Sequence, residues 1–189
     1  LGGVELGVSS YPTFNSPQAF GDALVDTGFD VILHASNHTM DKDTIGVLNT
    51  IHFWKENHPD TTFLGINESE EERDTVKIVE KDGIKIAMLN YTYGLNGFSL
   101  PADKPYLVNL MDEAHKSEIA EDMKKAREQA DFVIVYPHWG TEYVLEATDE
   151  QKQWAQFFAD NGADLIIGTH LTLDAGHGVV GVGDSLTLG

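Results

Sequence analysis

The chain has 189 residues, enough for one domain with a hydrophobic core. Its 41% hydrophobic and 23% charged residues are ordinary for a globular protein, and no apolar run approaches the roughly 20 residues of a membrane-spanning helix. A net charge of −19, from 12 basic and 31 acidic residues, argues against a nucleic-acid partner, which needs a basic face; the lack of Cys removes thiolate metal sites, disulfides and a cysteine nucleophile.

Residues 16–30 predict a helix. Ser16 serves as N-cap, Pro17 suits the first helical position, Phe20, Ala23 and Leu24 recur at helical spacing, and Gly28 ends the element in the left-handed conformation. The run DVILHA that follows predicts a buried strand. Residues 41–57 predict the next helix, with Ile45, Leu48 and Ile51 on one face, and TTFLGIN predicts a short strand. NESEEERD reads as an exposed acidic loop. On either side of KDG the chain alternates apolar and polar residues, which predicts a hairpin turning at Asp82 and Gly83.

After the Gly- and Pro-bearing loop LNGFSLPADKPY, residues 111–130 predict an amphipathic helix with Ile119, Met123, Ala126 and Ala130 inward. DFVIVYPHWG is a strand and its exit. Residues 148–162 predict a helix capped by Thr148, with Trp154, Phe157 and Phe158 inward and Gly162 at its end. ADLIIGTH is another strand and exit, and the Gly-rich tail reads as strand fragments. Helices alternating with apolar strands indicate an α/β fold with a largely parallel sheet. No linker appears, so residues 1–189 read as a single domain.

One unit recurs: a helix, a turn with an acidic residue, an apolar strand, then a polar exit carrying His. The three instances are TGFDVILHASNH, EQADFVIVYPHWG and NGADLIIGTH. Sites in open α/β sheets form beyond the carboxyl ends of the strands, so the three exits are expected along one sheet edge. They would bring together Asn37, His38 and Asp41, then His138 and Glu142, then His170 and His177. Imidazole, amide oxygen and carboxylate are ligands for Zn, Mn or Fe, and Asp41 or Glu142 would orient a ligating His from behind. A single His after a strand is usually a hydrogen-bonded structural residue, whereas a shared site accounts for three at once. His34 reads as packed in its strand. His52, His58 and His115 read as solvated.

These motifs resemble a known family. SNHTMD resembles the NNHxxD motif of the poly-gamma-glutamate capsule biosynthesis protein CapA family, YPHWGTEY resembles its HWGxEY segment, ADLIIGTH the start of its DxIIGxHPH segment, and SSYPTFNSP the stretch after its early acidic motif. The resemblance runs from about Gly2 to His170 in matching order. The family is similar to calcineurin-like metallophosphoesterases. That implies a four-layer α/β sandwich, mixed sheets flanked by helices, with metal ligands on loops at the strand ends. By the same resemblance Asn37, His138 and His170 look like metal ligands for Mn, Fe or Zn, and His38 like the neighbour that contacts an oxyanion or leaving group.

Two departures stand out. The family's GD strand exit and NLE segment are missing, and its GxHPH is GTHLTL here, with Leu171 and Thr172 replacing Pro and His. A hydroxyl is a poorer transition-metal ligand than imidazole. The site is therefore expected to be incomplete in this chain, with substitution by His177 as the lesser alternative. The chain opens at Leu1 without Met and reads as part of a longer bacterial protein, extracellular or at the cell surface, with its export or membrane-anchor segment upstream. The resemblance implies a role in synthesis, export or anchoring of an anionic polymer, with that polymer or other capsule-synthesis proteins as partners. The alternatives are a metal-dependent phosphoesterase or amide hydrolase acting on another substrate, and a catalytically inactive binding module.

Overall fold

The computed structural model describes residues 1–141, 144, 146–169 and 179–181. They form two compact units. One comprises Leu1–Thr75 with Gly94–Asn109, the other Val76–Tyr93 with Leu110–Gly189.

The first unit holds α1 (Ala19–Asp26), β1 (Val31–Leu33), α2 (Asp43–Asn57), β2 (Thr62–Leu64) and α3 (Glu70–Arg73). β1 and β2 pair in parallel, with Val31 opposite Thr62 and Leu33 opposite Leu64. α1 begins later than its sequence predicts: Gln18, not Ser16, stands at the cap, with no side-chain hydrogen bond. The reason is tertiary. Ser9 and Asn15 bridge antiparallel. The Asn15 carboxamide accepts from Gly2 N at 2.9 Å and donates to Gly3 O at 2.7 Å, which ties the approach to the helix elsewhere. Gly28 does end the helix as expected, at φ 93°. Phe29 N donates to Leu24 O and Gly28 N to Val25 O, the paired bonds of a Schellman motif.

Two helix faces differ from the predicted ones. Phe20 is 54% exposed, and α1 instead packs through Gly21, buried against the Phe53 ring. In α2, Ile45 is 51% exposed, while Gly46, Val47, Thr50, Ile51, Phe53 and Trp54 are buried. The apolar residues of α2 are spread around its circumference, so periodicity alone does not choose the stripe that the core takes. The acidic run at 67–74 is not wholly a loop: Ser69 accepts from Glu72 N and caps the single turn α3, whose acidic first turn suits a helix N-terminus.

The second unit is a five-stranded sheet in the order β3–β4–β5–β6–β7. Its strands are β3 (Lys77–Lys81), β4 (Ile84–Thr92), β5 (Phe132–His138), β6 (Leu165–Ile167) and β7 (Val179–Gly181), with α4 (Lys116–Gln129) before β5 and α5 (Asp149–Asp160) before β6. β3 and β4 form the expected hairpin. Asp82 and Gly83 both have positive φ, 53° and 82°, as a tight two-residue turn requires. β4, β5 and β6 run parallel, and β7 closes the edge antiparallel to β6. Ile119, Met123 and Ala126 of α4 and Trp154 and Phe158 of α5 are buried with Ala87, Val133, Val135 and Ile166 of the sheet in one core. α4 starts five residues later than its sequence predicts, because the Asp112 carboxylate accepts from Ala114 N and His115 N and holds that stretch as a turn. Thr148 and Gln151 form a complete capping box on α5.

The expectation of a single edge for all three exits is corrected here. β1 pairs with β2, in a different sheet from β5 and β6. A short apolar run identifies a strand but not its neighbour. β5 and β6 are adjacent and parallel, so their exits do share an edge.

Candidate functional site

In the first unit the site grows out of the end of β1. Beyond Leu33 the pairing continues for one residue, as His34 N donates to Leu64 O at 2.9 Å. The chain then folds into a turn held by its own side chains. Ser36 N donates to Thr39 Oγ1 at 2.9 Å, and that hydroxyl lies 2.6 Å from His34 O. Asn37 and His38 sit at the crest of this turn. Asn37 is buried and His38 half-buried.

His38 Nδ1 lies 2.8 Å from Asp41 Oδ2, and the same oxygen accepts from Phe14 N at 2.7 Å. The Phe14 ring meets the imidazole edge-on at 4.6 Å. Asp41 is buried, and its second oxygen, Oδ1, has no hydrogen-bond partner among the described residues. The carboxylate therefore faces His38 as a fixed acceptor. A third group arrives from far along the chain. Asn37 Nδ2 donates to Asn96 Oδ1 at 3.1 Å, and Asn96 Nδ2 lies 3.3 and 3.5 Å from the two ring nitrogens of His38.

Beneath this turn is a cavity of about 200 Å³ lined by His34, Ser36, His38, Thr39, Asp41 and Thr50 among others. His34 is packed as expected. Trp54 Nε1 donates to its Nε2 at 2.6 Å, and burial pushes its pKa down to about 3, so it stays neutral. Of the other histidines, His52 is exposed as expected and His58 and His115 are half-buried, and each has an acidic partner. His52 meets Glu68 at 3.0 Å, His58 meets Asp22 at 2.7 Å beside the Phe53 and Trp54 rings, and His115 meets Asp112 at 2.7 Å.

In the second unit His138 ends β5 opposite Thr92. Tyr93 N donates to His138 O at 3.0 Å, and the two rings lie nearly parallel, 6.3 Å apart. From the exit of β6, Thr169 N donates to Pro137 O at 2.9 Å and its hydroxyl lies 3.4 Å from His138 Nδ1. Glu142, His170, Thr172 and His177 lie outside the described residues.

The predicted residues thus fall into two groups: Asn37, His38 and Asp41 together in one unit, and His138 in the other. Imidazole and carboxamide donors suit Mn, Fe or Zn in kind. Among the described residues, which do not include Glu142, His170 or His177, no group of three or more His, Asp or Glu side chains is placed to hold a metal ion. Sequence reasoning missed Asn96. The available signal was the Asn96–Gly97 pair, a turn dipeptide with both residues at positive φ, here 52° and 84°.

Residues 1–176 match the family model for the bacterial capsule synthesis protein PGA_cap. Over 148 residues the chain is 31% identical to the PGA biosynthesis protein CapA of Bacillus subtilis (strain 168), an alignment covering 78% of this chain and 38% of that relative. It is 28% identical over 149 residues to the capsule biosynthesis protein CapA of Bacillus anthracis, covering 78% of this chain and 36% of the relative. The chain therefore spans less than two fifths of the length of these curated relatives. Its mixed α/β organisation, two sheets with helices, is in keeping with the metallophosphoesterase-like fold of the matched family.

Proposed function

Because this chain belongs to the bacterial capsule synthesis protein PGA_cap family, we propose that it acts in the synthesis of a poly-gamma-glutamate capsule at the cell surface, through a metallophosphatase-like site. The protein is proposed to be bacterial and extracellular, anchored through a segment outside this chain, with the anionic polymer or other capsule-synthesis proteins as partners. Among the described residues no helix is long and apolar enough to cross a membrane.

His38 is the residue that handles the proton in this reading. The observation that carries it is the hydrogen bond from Nδ1 to Asp41 Oδ2 at 2.8 Å, reinforced by the second donor at Phe14 N. A fixed carboxylate on Nδ1 sets the tautomer and the ring orientation, and a leaving-group oxygen or an oxyanion would meet Nε2 in place of Asn96 Nδ2, which lies 3.5 Å from it. From the family pattern, Asn37, His138 and His170 are each proposed as metal-ligating residues for a divalent ion. Such an ion, when bound, supplies Lewis acidity toward a phosphoryl or acyl oxygen and lowers the pKa of water.

The test is His38→Asn in the intact gene product, scored by capsule polymer in a strain lacking its own copy and by hydrolysis of a chromogenic phosphodiester with Mn. Loss of a general acid should lower turnover by about 10²–10⁴-fold at unchanged folding. Full capsule production by the variant would exclude this role for His38. A second reading, a binding module without catalysis, is favoured by Leu171 and Thr172 standing where the family pattern has Pro and His. It predicts that the polymer still binds the His38→Asn protein and that no hydrolysis occurs in either form.

A further inference from the structure

We infer that Asn96 is a positioning residue, a bridge that locks Asn37 and His38 into one arrangement. It lies 59 residues from Asn37 in sequence, on the loop after β4. Its backbone is left-handed, φ 52°, and Gly97 follows at φ 84°. Phe98 N donates to Leu95 O at 2.9 Å, which closes a tight turn whose first residue, Leu95, is buried. The turn is therefore anchored from below and presents the Asn96 carboxamide at its tip.

That carboxamide uses both ends. Its oxygen accepts from Asn37 Nδ2 at 3.1 Å, and its nitrogen lies astride the His38 ring, 3.3 and 3.5 Å from Nδ1 and Nε2. The first contact sets the orientation of the Asn37 amide. With the amide nitrogen turned toward Asn96, the carbonyl oxygen, the atom able to ligate a cation, points away from it. Since Nδ1 gives its proton to Asp41, the Asn96 amide can donate only to Nε2; with the Asp41 hydrogen bond and the Phe14 edge this holds His38 on three sides. A side chain chosen merely for its turn would be replaceable by Gly, which adopts positive φ at no steric cost. Gly has no atoms for the bridge.

The importance of the bridge for activity rests on the reading of Asn37 and His38 as site residues; the contact itself does not. The experiment is NMR on the metal-free protein, comparing wild type, Asn96→Gly and Asn96→Asp. Asn96→Gly preserves the turn and is expected to speed solvent exchange of the Asn37 side-chain amide protons and to shift the ring nitrogens of His38. Asn96→Asp keeps the turn and the acceptor oxygen, so Asn37 exchange should return toward wild type while the His38 ring nitrogens remain shifted. Unchanged Asn37 and His38 signals in Asn96→Gly would overturn the inference. Should that variant fail to fold, unshifted His38 nitrogens in Asn96→Asp would do the same. If the signals move as expected but Asn96→Gly supports full capsule production, the functional reading of the site fails and the bridge stands.

Discussion

At the scale of single residues, His34 and His38 show how neighbours four positions apart acquire opposite properties. His38 is turned toward a carboxylate, while His34 accepts from an indole N–H and is held at a pKa of about 3 by burial. An unfolded histidine titrates near 6.5, so below that pH the unfolded chain takes up a proton that folded His34 refuses. The stability contributed by neutral His34 is complete above about pH 6.5 and declines as pH falls toward 3, by about 1.4 kcal/mol per unit. His34→Gln keeps an acceptor for Trp54 and does not titrate. Urea unfolding of both proteins between pH 7 and pH 4 should show the wild type losing ground to the variant as pH falls. Parallel curves would mean that His34 is not protected from protonation. The sequence already set His34 inside its strand and His38 at the exit. It did not show what His34 packs against, because Trp54 lies twenty residues away in the chain.

At the scale of elements, the patterns that survived are those written within a few residues of one another. Asp82–Gly83 demands a two-residue turn, Thr148 and Gln151 together cap the N-terminus of α5, and Ile119, Met123 and Ala126 form one face of α4. The face of α1 was not legible, since its partner is Phe53 on another helix. Helix propensity favours Ala over Gly by about 1 kcal/mol, which would make Gly21→Ala stabilising. Packing says otherwise: a Cβ on Gly21 would lie 2.4 Å from Phe53 Cε1. Gly21→Ala is expected to destabilise the protein by about 1–3 kcal/mol, measured by urea unfolding. A variant as stable as wild type would show that α1 does not depend on this close approach.

At the scale of the whole molecule, the charge of −19 constrains the proposed polymer partner. Two polyanions repel, most strongly at low salt where screening lengths are long. Binding of poly-gamma-glutamate is therefore expected to need divalent cations as bridges and to vanish in a chelator, as read by sedimentation with the purified protein. Tight binding in chelator at low ionic strength would refute cation bridging and point to a locally basic surface. Lys55 already pairs with Glu72 of α3 and with Glu68 just before that helix.

By itself the sequence determined the α/β class, the hairpin, most helices and the family, because each rests on local periodicity, turn chemistry or short motifs. It also marked SNHTMD, with the exits at His138 and His170, as a candidate site segment. Only the tertiary structure decided that β1 pairs in a sheet apart from β5 and β6, that α1 and α2 bury other faces than their periodicity favours, and that Asn96 bridges Asn37 and His38. The physical reason is common to all three: strand partner, buried stripe and bridging side chain are each chosen by contacts between residues distant in the chain, which no local pattern encodes.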